Sequence, residues 1–306
     1  MKVTISGFYD EISFSLDEQI AALNELGEKY MCPRMIDGRN IADFTAEEFE
    51  ASVKPRLDKA GIKFSSIGSP IGKVSVSDEE GYKKQLVKLA ELVKIAKLME
   101  CKYIRVFSFL LPHYDDPAIY RDKVMKKMQG FLDVVKGSGI VLLHENEKGI
   151  YGNVASRCLD LYKTLNNPDL KLVYDASNFV QCGEDPVAAF DLLKDYTVYY
   201  HIKDCDRETR MEVPVGAGDG AYDYIIGELK KMNYEGFMTL EPHTAKYAVL
   251  RRPVYFIPFM PLILPKFYKA FRKIDKLLGK KPVNKVTRKD VFFVQYNNIK
   301  ELIKEA

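Results

Sequence analysis

The sequence predicts an α/β chain folded as a (β/α)8 barrel, with an insertion between the eighth strand and the last helix. Three observations predict it. Eight short β-rich runs alternate with longer helical patterns, their ends spaced roughly 25 to 40 residues apart, which is the signature of a parallel sheet. The 306 residues suit eight such units. The turn after the first run carries no GxGxxG that would favour a doubly wound dinucleotide fold.

The β-rich runs are KVTIS (2–6), KYMCPRM (29–35), IKFSSIG (62–68), KYIRVFSF (102–109), GIVLLHE (139–145), LKLVYDA (170–176), TVYYHIK (197–203) and GFMTLE (236–241). Helical stretches lie between them, including 15–30, 45–61, 78–100 and 221–233. In the third, Leu86, Leu89, Ala90, Val93 and Ala96 share one face and Lys84, Lys88 and Glu91 the other, the spacing of an amphipathic helix. Ser15 with Glu18, and Thr45 with Glu48, have capping-box spacing. Residues 291–306 read as the closing helix and 245–289 as an apolar and basic insertion within one barrel domain.

Composition bounds the function. Hydrophobic residues make up 47% and charged residues 29%, as in ordinary soluble globular proteins. The net charge of +3 gives no footing for nucleic acid. Five scattered cysteines include no CxxC pair, and the N-terminus, MKVTISGF, has no long apolar core. Both favour a reducing, cytoplasmic setting.

Four successive runs end in an ionisable side chain directly after apolar β-formers: Glu145, Asp175, His201 and Glu241. In a barrel these positions face the C-terminal rim, where active sites are built. Three converging carboxylates would repel one another unless a cation joined them. Oxygen donors with a neutral imidazole suit one divalent ion, manganese first, with magnesium, cobalt or zinc as alternatives. His144 precedes Glu145 and should point away from such a site by strand alternation.

The segments LLHENEKG, VYDASN, YYHIKDCDR and MTLEPH, with SSIGSPIGK at 65–73, resemble the xylose-isomerase-like barrel superfamily of sugar isomerases and epimerases. The resemblance covers nearly the whole chain except 245–289. It implies that Glu145, Asp175, His201 and Glu241 bind the metal, and that Glu145 and Glu241 exchange a substrate proton next to a metal-bound carbonyl through an enediolate. It also implies that Arg207 binds substrate. Asn178 and Tyr151 stand where the ketose epimerases carry a histidine and a glutamate, so recognition of the sugar must differ there. Lys148 and Lys203 are further expected substrate contacts.

The expected activity is therefore a metal-dependent isomerase or epimerase acting on a small carbohydrate. A lyase or dehydratase, including elimination from a 3-keto-glycoside, is the alternative, because the same proton abstraction can expel a β-leaving group. The multi-zinc endonuclease chemistry of related barrels needs more histidines than the four present. The insertion combines PVYFIPFMPLILPKF (253–267) with a basic run, net +12 over 246–289. Interrupted by prolines, it is too short to span a bilayer. A lid or a contact with another subunit is expected, and membrane contact is not.

Overall fold

In the computed structural model, which describes residues 1–243 and 245–305, each of the eight expected runs contains a strand. They are β1 (Lys2–Gly7), β2 (Tyr30–Met31), β3 (Lys63–Phe64), β4 (Tyr103–Val106), β5 (Val141–Glu145), β6 (Leu170–Asp175), β7 (Thr197–Ile202) and β8 (Glu235–Leu240). Six form a continuous parallel sheet in the order β1-β8-β7-β6-β5-β4, with Lys2 opposite Glu235 and Gly7 opposite Leu240. β2 and β3 pair in parallel with each other, Tyr30 opposite Lys63. They close the ring through a few backbone hydrogen bonds. Cys32 N donates to Gly7 O at 3.0 Å, and Ile67 N donates to Tyr103 O at 2.9 Å. Pro33 lacks an N–H, which helps explain why the ladder of β2 stops after two residues.

The barrel helices are α1 (Leu16–Glu25), α2 (Lys54–Ala60), α3 (Glu79–Leu98), α4 (Arg121–Val135), α5 (Ala155–Leu165), α6 (Pro186–Leu193), α7 (Tyr222–Lys231) and α8 (Arg288–Glu305). α3 buries Leu89, Leu92, Val93, Ile95 and Ala96 and is capped by Asp78, which accepts from Gly81 N at 2.8 Å. Gly61 ends α2 at φ 65°, a left-handed conformation that glycine adopts without strain. Thr45 and Glu48 make the expected reciprocal capping box on the short helix Ala46–Ser52. Ser15 does not: its side chain makes no cap bond, and Asp37 Oδ1 accepts from Leu16 N at 2.9 Å instead. A carboxylate from a distant loop has taken the place of the local cap. α8 fulfils the expected closing helix; Ala306 lies outside the described residues.

Between β8 and α8 the chain forms three helices, Ala245–Phe256, Met260–Ile263 and Pro265–Leu277. They have a small core of their own: Tyr247, Val254, Phe271, Ile274 and Val286 pack with Val213 and Val291. Arg251 and Asp275, both buried, pair at 2.6 Å within it. Asp275 also accepts from Tyr255 Oη at 2.7 Å. Among the described residues, no helix is long and apolar enough to cross a membrane.

Candidate metal centre

The four ionisable strand ends converge. One ligand atom from each of Glu145, Asp175, His201 and Glu241 lies within 4.8 Å of the others, and all four residues are buried. The register does this. His201 is the Cα partner of Asp175 on one side and of Thr239 on the other, so β6, β7 and β8 deliver side chains to one level of the barrel.

Each glutamate turns one oxygen toward His201 and the other toward a cation. Glu145 Oε1 lies 3.0 Å from His201 Nδ1, and its Oε2 accepts from Arg105 Nη1 at 3.0 Å. Glu241 Oε2 lies 3.3 Å from the same Nδ1, while its Oε1 is 3.2 Å from Arg34 Nη1 and 3.1 Å from His243 Nε2. Lys203 Nζ stands 2.9 Å from Asp175 Oδ2. Phe8 fills the space between the two arginines, whose guanidinium carbons lie 5.0 and 4.9 Å from its ring centre, and its edge meets the His201 ring.

The charges shape one another. Burial works to raise the Glu145 carboxyl, but His201 and Arg105 outweigh it and bring the pKa down to about 2. Glu241 is likewise held well below the ordinary range against its burial, by Lys203 and His243. Asp175 is pushed up to about 6 by burial and by the two glutamates, despite Lys203. Burial disfavours the charged His201 ring, yet Glu145 and Glu241 raise it to about 9.

Asn178 lies at the start of a short helix, Ala176–Gln181, whose cap is Asp175: Asn178 N donates to Asp175 Oδ1 at 3.0 Å. Its side-chain amide donates to Asn146 O at 2.8 Å and stands 3.5 Å from Glu145 Oε1. Lys148 is exposed at the rim and donates to Gln181 Oε1 at 2.9 Å. Tyr151 is buried, with its hydroxyl on Asp160 Oδ2 at 2.7 Å, beside Arg121. Arg207 sits at the turn of the hairpin Asp204–Asp206 and Met211–Val213, exposed, its guanidinium 3.4 Å from Glu184 O. The structure therefore gathers Asn178 and Lys203 at the cluster, leaves Lys148 and Arg207 at the rim, and turns Tyr151 toward α5.

Arg105 had no place in the sequence reading. The available signal was a lone arginine between Ile104 and Val106 in an apolar strand. His243 takes φ 51° just after Pro242, and its backbone N donates to Glu11 Oε2 at 2.7 Å. His144 faces away from the cluster as alternation required, with Nε2 on Ser108 Oγ at 2.9 Å. In the glycine-rich loop at 214–220 the N–H groups of Gly216, Gly218 and Gly220 all donate to Asp204. A Cβ on Gly218 would meet Asp204 Oδ1 at 2.2 Å, so only glycine allows this wrap.

A cavity of about 430 Å³ opens at this end of the barrel, lined in part by Arg34, Lys148, His243 and Arg288. A larger hollow of about 570 Å³ lies at the opposite end, among Lys2, Lys102, Tyr103 and Phe237. None of the four converging groups lines that one, so size is a poor guide to the chemistry here.

A family model described as xylose isomerase-like TIM barrel matches residues 20–254. The chain belongs to that family. It is 20% identical over 190 residues to a 3-dehydroshikimate dehydratase of Bacillus anthracis, covering 56% of this chain and 68% of the relative. Among solved structures, it resembles a D-allulose 3-epimerase from a Methylomonas species with a TM-score of 0.69, 16% identity and 98% of both chains covered. It also resembles the IOLI protein, solved with a zinc atom, with a TM-score of 0.68 and 13% identity over 100% of this chain and 99% of the other. At these identities the structural likeness speaks for the shared barrel.

Proposed function

We propose that this family member is a divalent-metal-dependent isomerase or epimerase of a small sugar or sugar derivative. The observation that carries the reading is the buried convergence of Glu145, Asp175, His201 and Glu241. The donor set fits a cation. Glu241 Oε2 and Asp175 Oδ2 are buried without a well-aligned hydrogen bond among the described residues, although His201 Nδ1 lies 3.3 Å from the first and Lys203 Nζ 2.9 Å from the second. Three carboxylates buried this close together repel one another, and a divalent ion among them would relieve that repulsion. Manganese is our first choice, with magnesium, cobalt and zinc compatible with the same donors.

When bound, such an ion would polarise a substrate carbonyl and acidify the adjacent carbon. The chain's own groups supply the rest. Glu145 and Glu241 are the proposed proton carriers, one removing the proton and the other returning it. Arg105 on one, and Arg34 with His243 on the other, restrain each carboxylate through its second oxygen. Lys203 and the Asn178 N–H fix the orientation of Asp175. Lys148 and Arg207 are the proposed substrate contacts at the rim, with Asn178 and Lys203 deeper; Tyr151 would have to leave Asp160 to join them.

A second reading, a dehydratase or related lyase on a keto-sugar or cyclitol, is favoured by the sequence match to a dehydratase. Asn178 and Tyr151 at positions where epimerases read the sugar also favour it. Metal analysis of the purified protein, followed by turnover of keto-sugars in deuterium oxide, separates the readings. Deuterium entering the carbon skeleton without loss of water or another group supports isomerisation. Loss of a group supports elimination. Absence of any bound or activating divalent ion would sink both.

A further inference from the structure

We propose that the segment between β8 and α8 is a docking surface for an anionic lipid bilayer, with residues 256–263 entering the interface. The run 253–267 is only partly buried within the chain. Val254 joins the local core and Phe267 packs against it, but Phe256 is 52% exposed, Phe259 73%, Leu262 79% and Ile263 66%. Pro258 and Pro261, with Phe259 at φ 64°, break this stretch into a turn and one helical turn. It is a short apolar tip, as interfacial rather than spanning segments are. Single exposed apolar side chains are ordinary, but a contiguous group needs a partner.

The charge around the tip states which partner. The helix Pro265–Leu277 turns Ala270, Phe271 and Ile274 inward and leaves Lys266, Lys269, Arg272, Lys273 and Lys276 exposed. Arg252, Lys266, Arg272, Lys276, Lys281 and Lys285 have no acidic partner among the described residues. Residues 246–289 carry net +12 in a chain of +3, so the remainder is −9. That polarity attracts this segment to a negative surface. A second copy docking tip to tip would bring two such basic collars together, which like charges oppose. Anionic headgroups over an apolar layer satisfy the tip and the collar at once.

The segment is also fastened to the barrel's C-terminal end. Lys273 lies 3.1 Å from Asp206, and Lys269 pairs with Glu208, both on the hairpin that follows β7. Docking would therefore hold the molecule by the rim that bears the candidate site.

Vesicle flotation of the full chain tests this, with neutral phosphatidylcholine against the same lipid carrying about a third phosphatidylserine. Stronger binding to the anionic vesicles, by about tenfold or more and weakened by high salt, is expected. Phe259→Ser with Leu262→Ser should lower that binding by about tenfold or more, with the melting temperature unchanged because both side chains are exposed. No preference for anionic vesicles, or equal binding by the double variant, would overturn the proposal. So would a wild-type dimer that the double variant converts to monomer, which would assign the tip to a second copy.

Discussion

Arg105, on β4, places its Nη1 3.0 Å from Glu145 Oε2 on β5 and 3.7 Å from Glu241 Oε1 just past β8. One buried guanidinium thus spans two carboxylates from strands far apart in sequence. It also donates to the carbonyls of Gly68 and Ser69, which tie it to the loop after β3.

Arg105→Met should destabilise the metal-free protein by roughly 3–5 kcal/mol, since it leaves buried carboxylates without their cation. Saturating manganese should restore part of that loss, because a divalent ion replaces the missing charge. Thermal melting with and without metal measures both. Equal losses in the two conditions would mean that Arg105 does not share the electrostatics of the candidate metal site.

Glu145→Gln and Glu241→Gln should each lower turnover by about 10²–10⁴-fold while leaving the fold intact. Both substitutions keep volume and remove a negative charge. Single-turnover kinetics and circular dichroism provide the check. Near-normal activity in both variants would end the two-carboxylate scheme.

Asp275→Ala should loosen the segment after β8 without touching the barrel. Arg251 is 1% exposed and would keep only backbone carbonyl partners at Pro282, Asn284 and Lys281. An unpaired buried charge costs about 3–5 kcal/mol, enough to raise local opening. Hydrogen exchange across 247–286 should rise, with β5 to β8 unchanged. Unaltered exchange in the segment would refute the pair's role.

Asp160 offers a pH test. A hydrogen bond from Arg121 leads the causes that hold its carboxyl below the ordinary range, outweighing partial burial, with Tyr151 and Thr164 assisting. The folded pKa lies below the unfolded one, so the unfolded chain binds the proton more readily. The stabilisation is then fully present above the unfolded value of about 3.9 and is lost as pH falls through the folded pKa. Asp160→Asn should melt below wild type at neutral pH, and the gap should narrow below about pH 4. A gap independent of pH would assign the effect to shape alone.

Much of the molecule is legible in local pattern. Apolar runs ending in Glu145, Asp175, His201 and Glu241 locate strands and rim together, because a strand's alternation and its abrupt polar end are encoded within a few residues. The stripe of α3 and the Thr45–Glu48 box are equally local, as is the excess of basic charge at 246–289. Other features depend on which distant segments meet, and that is set by strand register and helix packing. Arg105 becomes a bridge only because β4 and β5 pair Arg105 with Leu143, which sets it on the same face of the sheet as Glu145, two residues further along the neighbouring strand. Asp37 displaces Ser15 as a cap because a loop folds back over α1. Tyr151 gives its hydroxyl to Asp160, and Phe259 and Leu262 remain exposed while Phe271 is enclosed. The sequence by itself determined the kinds of side chain available and their order along the chain. Tertiary structure decided which charges share a buried space and which apolar groups stay in water, because both depend on neighbours tens or hundreds of residues away.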